Sequence, residues 1–418
     1  MNLVYRLLLI LSLCLCGCAA DDDTDTPVRF GDGSVGLLGD GTTGVDSSAE
    51  SGPASDGGLN DSGTTMADDT PVVERLVDNE RIPIDQGVGR VTFDVPQDVI
   101  SLTVIIHGES NGWYGIDSWI DGDGSALVTA DWPSFPGNER GCFSCRNFAN
   151  QNQGASTTIA PNRDTGTVHP GRHQVNIVGW VDGFAADSAR VSVILKRGPR
   201  PPENGVLDVN FYFTGAQGWT AESVQTDNYF AATIERFNEL YGRIGLTIGD
   251  MTYHDIDPAL SVVSIAEDDD TLGALMANAV ASQTDGLNVF FVDEILTGEP
   301  DFPSIPGVAA SVPNPPYLPG TVASGVAIAT RGPLSVPPGQ RFLDPPAIGQ
   351  TLCHELGHAL GMFHTSEYDE VSHDVYDDTP ENDNTYLMHA DGTGARISPE
   401  QARAILVNPA VYHRDPSN

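Results

Sequence analysis

The chain has 418 residues, 58 of them Asp or Glu against 20 Lys or Arg, for a formal net charge of −38. A surface this acidic repels phosphate, which excludes a nucleic-acid binder, and it also repels anionic lipid head groups. The length predicts two to three domains.

The first segment reads as an export signal. Arg6 supplies a positive start, and Leu7 to Leu15 form an apolar run of nine residues, too short to span a bilayer. Leu15-Cys16-Gly17-Cys18 follows and resembles a bacterial lipobox, which implies a signal peptide over 1–18 and lipidation of Cys18. Ala19 after that cysteine implies, by resemblance to lipoprotein sorting, the outer membrane. The expected location is therefore the cell envelope, lipid-anchored, or the extracellular space. Residues 19–71 are rich in Asp, Gly, Ser and Thr with almost no aromatics. Such a stretch cannot bury enough apolar surface to offset chain entropy and is expected as a disordered acidic tether.

Residues 72–198 read as an all-β, sandwich-type domain. Arg90 to Val95, Ser101 to Ile106, Gln174 to Trp180 and Arg190 to Leu195 alternate or run apolar, with Gly, Pro, Asn and Asp between them. Cys142 and Cys145 are spaced for a local disulfide in an exported loop. Calcium favours oxygen ligands, and Asp117, Asp121 and Asp123 are candidates for it. A plain turn with solvated acids is the simpler reading of those three, and the chain has no EF-hand spacing. Trp113, Tyr114 and Trp119 read as core.

Gly198 to Pro202 marks a linker, and 205–418 reads as an α+β domain of helices on a small mixed sheet. Val206–Phe213, Leu246–Thr252 and Asn288–Val292 are expected strands. Phe230, Ile234, Phe237 and Tyr241 fall at i, i+4, i+7 and i+11, an amphipathic helix. Ser324 to Ala329 should be a strand, and Val308 to Val312 a sheet edge. A helix should begin near Pro346, with Ile348, Leu352, Leu356 and Leu360 as its apolar stripe. Ser398-Pro399-Glu400-Gln401 opens a last helix with a capping box, stopped before Pro409.

His354-Glu355-Leu356-Gly357-His358 and Gly361-Met362-Phe363-His364 carry the chemistry. On a helix His354 and His358 share one face, and Glu355 is turned by about 100° from His354. Gly361 can adopt positive φ, end the helix and return His364 to the same point. Three imidazoles and an open position make a catalytic rather than structural zinc site. Glu355 is placed to take a proton from bound water. Five fixed positions make the pattern specific. Cys353, next to His354, reads as a small buried residue.

The motif resembles that of the metzincin metallopeptidases. Asn384-Thr385-Tyr386-Leu387-Met388 resembles their Met-turn, with Met388 beneath the metal. Asp377-Asp378-Thr379-Pro380 is similar to a stretch of the pappalysin-like, or cytophagalysin, branch, and Leu287–Asp293 to a strand of the same domains. The resemblance implies a zinc endopeptidase of protein or peptide substrates, with His354, His358 and His364 as ligands and Glu355 as general base. A monomer is expected, with the lipid anchor of the N-terminal segment as its membrane contact. One departure is plain. Members of this group place a tyrosine two positions after the methionine, where this chain has Ala390. His389 reads as a surface imidazole. A surface-anchored binding or adhesion lipoprotein on a non-catalytic peptidase-like scaffold is the competing class. It leaves the retention of Glu355 unexplained.

Overall fold

A computed structural model describes residues 71–413 except 111, 130–140, 143–146, 148, 163–166, 200, 267–270, 280–284, 301, 333–342 and 369–370. The expected signal peptide, the expected lipidation site Cys18, the expected tether up to residue 70, Cys145 and the Cys142 side chain lie outside the described residues, and the expected Cys142–Cys145 disulfide with them. Within the described part the fold is mixed α+β, rich in sheet and poor in helix.

The first half begins with strands β1 (Val72–Pro83), β2 (Gly89–Val95), β3 (Val99–Gly108), β4 (Trp113–Ile120), β5 (Ala126–Thr129), β6 (Ala155–Ala160), β7 (Gly171–Val181) and β8 (Ser188–Arg197). One antiparallel sheet runs β1-β8-β3-β6, and a second places β2 and β4 on β7, with β5 beside β4. Period-two patterning decides which side chains meet. Val91, Phe93, Trp119, Val175 and Ile177 of one sheet pack against Leu102, Val104, Ile106, Val191 and Val193 of the other. Tyr114 and Trp119 are core, as expected, whereas Trp113 at the start of β4 is only half-buried.

The β3-β8-β6 face that points away from this core is buried as well. Ser101, Thr103, Ile105, Thr157, Ile159, Ile194 and Lys196 lie on it, none more than 3% exposed. Its cover comes from the second half of the chain: a methyl added at Gly361 would lie 3.9 Å from Ile159, and Ser101 bonds to the carbonyl of Val407. The described residues belong to a single compact unit.

The second half contains β9 (Gly205–Phe213), α1 (Asn228–Tyr241), β10 (Leu246–Asp255), α2 (Thr271–Met276), β11 (Leu287–Val292), β12 (Gly307–Ala309), β13 (Val326–Ala329), α3 (Pro345–Ala359), α4 (Pro399–Val407) and β14 (Val411–Tyr412). The sheet order is β10-β9-β11-β13-β12, parallel except for β12, with β14 antiparallel on the start of β9. A parallel sheet covered on both faces needs apolar strands throughout, and every residue of β11 is buried. Phe211, Phe213 and Phe291 face α1 and α3, where they meet Phe230, Phe237, Ile348 and Leu352. Tyr212, Phe290 and Val292 face the other way, onto Leu275 and Met276 of α2.

The helices start where their caps allow. Asp227 accepts the amides of Tyr229 and Phe230, and Asp344 that of Ala347, ahead of Pro345 and Pro346 in the first turn of α3. Ser398 and Gln401 complete the expected capping box of α4. Replacing Ser398 with Ala removes one arm of that box at a buried helix start. Urea unfolding should register a loss of about 1 kcal/mol. An unchanged midpoint would mean the cap contributes nothing to global stability.

Candidate metal centre

α3 brings His354 and His358 to one buried face, their ring centroids 4.8 Å apart. The helix closes in a Schellman turn. The amide of Gly361 bonds to the carbonyl of His358 and that of Met362 to Gly357, each at 2.9 Å, with Gly361 at φ +104°. That conformation suits glycine alone without strain. It redirects the chain so that Nε2 of His364 lies 3.1 Å from Nε2 of both His354 and His358.

The other ring nitrogens fix the protons. His354 Nδ1 donates to the carbonyl of Leu387 at 2.8 Å, His358 Nδ1 to that of Met362 at 2.7 Å, and His364 Nδ1 to the Glu367 carboxylate at 2.9 Å. Each acceptor requires a proton on Nδ1, so in the neutral rings each Nε2 is a lone pair. Three lone pairs facing one another at 3.1 Å cannot hydrogen-bond among themselves. They fit a cation: tetrahedral ligands about 2.0–2.1 Å from zinc lie about 3.3 Å apart. Burial pushes His354 down to about 3 and His358 well below its ordinary value, with His364 adding to both shifts. The His354 and His358 rings are thus held neutral, as metal ligation requires.

Glu355 is buried on α3 beside this cluster. Burial raises its carboxyl to about 8, opposed by a hydrogen bond from the backbone of Ala309. A Cβ on Gly307 would come within 2.6 Å of Glu355 Oε1, so β12 lies against the carboxylate.

Met388 lies under the helix. A Cβ on Gly357 would fall 2.4 Å from the Met388 sulfur, and the Met388 carbonyl accepts the amide of Thr365 at 2.8 Å. The same turn supplies the Leu387 carbonyl to His354. Tyr386 is committed elsewhere, donating to the Asp378 carbonyl at 2.9 Å with Arg396 4.5 Å above its ring. Ala390 is buried, its amide on the carbonyl of Ser366. The expectation of a surface imidazole at His389 needs correction. Its side chain is only 14% exposed and lies 3.3 Å from Asp391, because the turn folds back on the cluster. Asp377 to Pro380 tie the chain to α4: the Glu400 amide bonds to Asp378 and the Asp377 amide to Glu400. Asp374, just before them, is pushed up to about 7 by burial. Cys353 is buried and free.

Glu367 is the functional residue that reading the motif alone misses. A carboxylate three residues beyond the last histidine was its one signal. Of the calcium candidates, Asp121 and Asp123 converge with His169, whose Nδ1 lies 2.8 and 3.2 Å from them, and both accept the Ser125 amide. Asp117 is not part of that group.

No protein-family model matches the chain, and no curated protein matches it. Among solved structures, metalloproteinase-II from Bacteroides fragilis is similar at 11% identity over 51% of this chain and 61% of its own, with a TM-score of 0.30. A family two carbohydrate esterase from Clostridium thermocellum is similar at 10% identity over 55% of this chain and 67% of its own, with a TM-score of 0.14. An active-site mutant of such an esterase gives 12% identity and the same TM-score. The chain therefore spans under two thirds of the length of the metalloproteinase. Likeness at this level adds nothing to the chemistry of the site, which rests on its own residues.

Replacing Glu367 with Gln should weaken metal affinity about 10- to 100-fold in competition with a chromophoric chelator, because His364 loses an anionic partner. Gly357→Ala should destabilise the metal-free protein by about 1–3 kcal/mol in urea, since the methyl meets the Met388 sulfur. Alanine's better helix propensity would otherwise give about 1 kcal/mol the other way. A gain in stability would show that the Met388 contact is slack.

Proposed function

We propose that this protein is a zinc-dependent endopeptidase of the metzincin type, closest to the pappalysin-like branch, acting on proteins or peptides outside the cytoplasm. The observation that carries the reading is the arrangement of three inward Nε2 lone pairs, each locked by an Nδ1 hydrogen bond, beside one buried carboxylate. Borderline-soft zinc suits three imidazoles better than calcium or magnesium does. When bound, zinc would acidify water and polarise a carbonyl.

The chain's own groups do the rest. Glu355 takes a proton from the attacking water and delivers it to the leaving amine, the role that its position beside the cluster supports. Its burial keeps competing water away. β12 is the outermost strand of its sheet and lies against Glu355, which suits it to pair with an extended substrate backbone. Such a contact would orient the scissile bond by main-chain hydrogen bonds and leave cleavage preference to side-chain pockets. Ala390 leaves no tyrosine at the position where the enzymes it resembles carry one, so no such side chain is supplied there for the developing oxyanion. The lipobox-like Leu15 to Cys18 and the acidic stretch after it support a lipid-anchored protein at the cell envelope.

The experiment is cleavage of casein and of a peptide library by the purified protein, with metal content measured alongside. Glu355→Ala should lose at least about 100-fold in rate while keeping one zinc per chain. His358→Ala should lose the metal itself, and a chelator should abolish cleavage until zinc is restored. Parental turnover by Glu355→Ala would sink the assignment.

A further inference from the structure

Lys196 lies on the outward face of β8 and is 0% exposed. Its Nζ donates to the carbonyls of Leu406 at 2.6 Å, Val411 at 2.5 Å and Asn408 at 3.3 Å. An ammonium carries three protons, and here each has an acceptor. Ser101, its cross-strand partner on β3, donates to the carbonyl of Val407 at 2.5 Å. Leu406 and Val407 close α4, so their carbonyls lack partners inside the helix and carry the negative end of its dipole. Burial lowers the Lys196 ammonium to about 7.

The segment held in this way reaches the metal helix. Asn408 is buried. Its side-chain amide donates to the carbonyl of Leu360 at 3.0 Å, and its oxygen accepts the amide of Ala410 at 2.8 Å. Leu360 caps α3. The next residue, Gly361, begins the turn whose Met362 carbonyl holds His358 and whose continuation carries His364. Two hydrogen bonds, the backbone from Leu360 to Met362 and a third hydrogen bond therefore connect the β-sandwich to the ring of a candidate ligand.

We propose that Lys196 is a positioning residue for the histidine cluster: a buried ammonium on the sandwich that fixes the end of α3 through Asn408. The sandwich is then a working part of the metal site and not a detachable module. The proposal rests on the metallopeptidase reading only for what the cluster does.

The test uses the full chain carrying Lys196→Met, which keeps the stem and removes the donors, beside Asn408→Ala and the double variant. All are measured at a temperature where circular dichroism shows them folded. Zinc affinity should fall about tenfold or more in Lys196→Met, with kcat reduced and KM near parental. In metal-free protein the amides of Gly361 and Met362 should exchange with solvent about tenfold faster. Asn408→Ala should reproduce both losses, and the double variant should add little. A folded Lys196→Met protein with parental zinc affinity and parental exchange at those two amides overturns the proposal. Should Lys196→Met fail to fold, Asn408→Ala decides on the same readouts, since it breaks the link and leaves the ammonium in place. A parent that binds zinc without cleaving peptides refutes the peptidase reading, while affinity and exchange still judge the clamp.

Discussion

The site depends on three hydrogen bonds that commit the Nδ1 protons of His354, His358 and His364. A free imidazole has two tautomers and a freely turning ring. Once Nδ1–H is held, the lone pair on Nε2 has one direction, and here three such directions meet. The acceptors come from three places: the turn at Met388, the turn closed by Gly361, and Glu367. None of these lies on α3. A helix bearing two histidines at i and i+4 is therefore half a site, and the chain after it supplies the orientation.

Burial does the electrostatic work in both directions. It holds His354 and His358 neutral and pushes Glu355 toward its protonated form, because a low-dielectric setting penalises either charge. A cation at the Nε2 cluster would suit all three groups, because it takes neutral imidazoles as ligands and favours a nearby carboxylate. It would draw on the three Nε2 lone pairs and restore the Glu355 carboxylate, the form that the proposed base needs. The cluster and the carboxylate thus make physical sense as one unit. Separately, the three Nε2 lone pairs would be buried facing one another with no donor between them, and the carboxyl would be buried without a counter-charge.

What was legible in the sequence was mostly local. The spacing of His354, Glu355 and His358 follows from 3.6 residues per turn. Gly361 stands where a positive φ is needed, and Ser398 with Gln401 spells a cap within four residues. The strands of the second half were readable because a parallel sheet covered on both faces demands runs such as Leu287–Val292. The partners of those residues were not legible. Glu367 looks like any acidic residue until the loop places it on His364. Leu387 acts through a carbonyl that every residue has. In the first half, alternation indicated strands of a sandwich, but not that Ser101, Thr103, Ile105, Ile194 and Lys196 are buried on the outer face as well, where α4 and the turns beside it cover them. His389 reads as solvent-facing by the same local logic, and the fold-back of its turn encloses it.

Lys196 shows what a buried charge adds that an apolar residue would not. Taking an ammonium out of water is costly, and apolar replacements at such places are often neutral or stabilising. Stability alone therefore gives a weak reason for a lysine here. Direction gives a better one. A methionine in that space could pack against α4 in several registers of nearly equal energy, since dispersion is undirected. Three N–H donors with three carbonyl acceptors admit one register. The carbonyls at the end of α4 would in any case need donors once the sandwich sheet excluded water from them. An interface that had to satisfy these groups can, through Asn408, also set where α3 ends. The turn that begins there decides whether His364 meets its two partners.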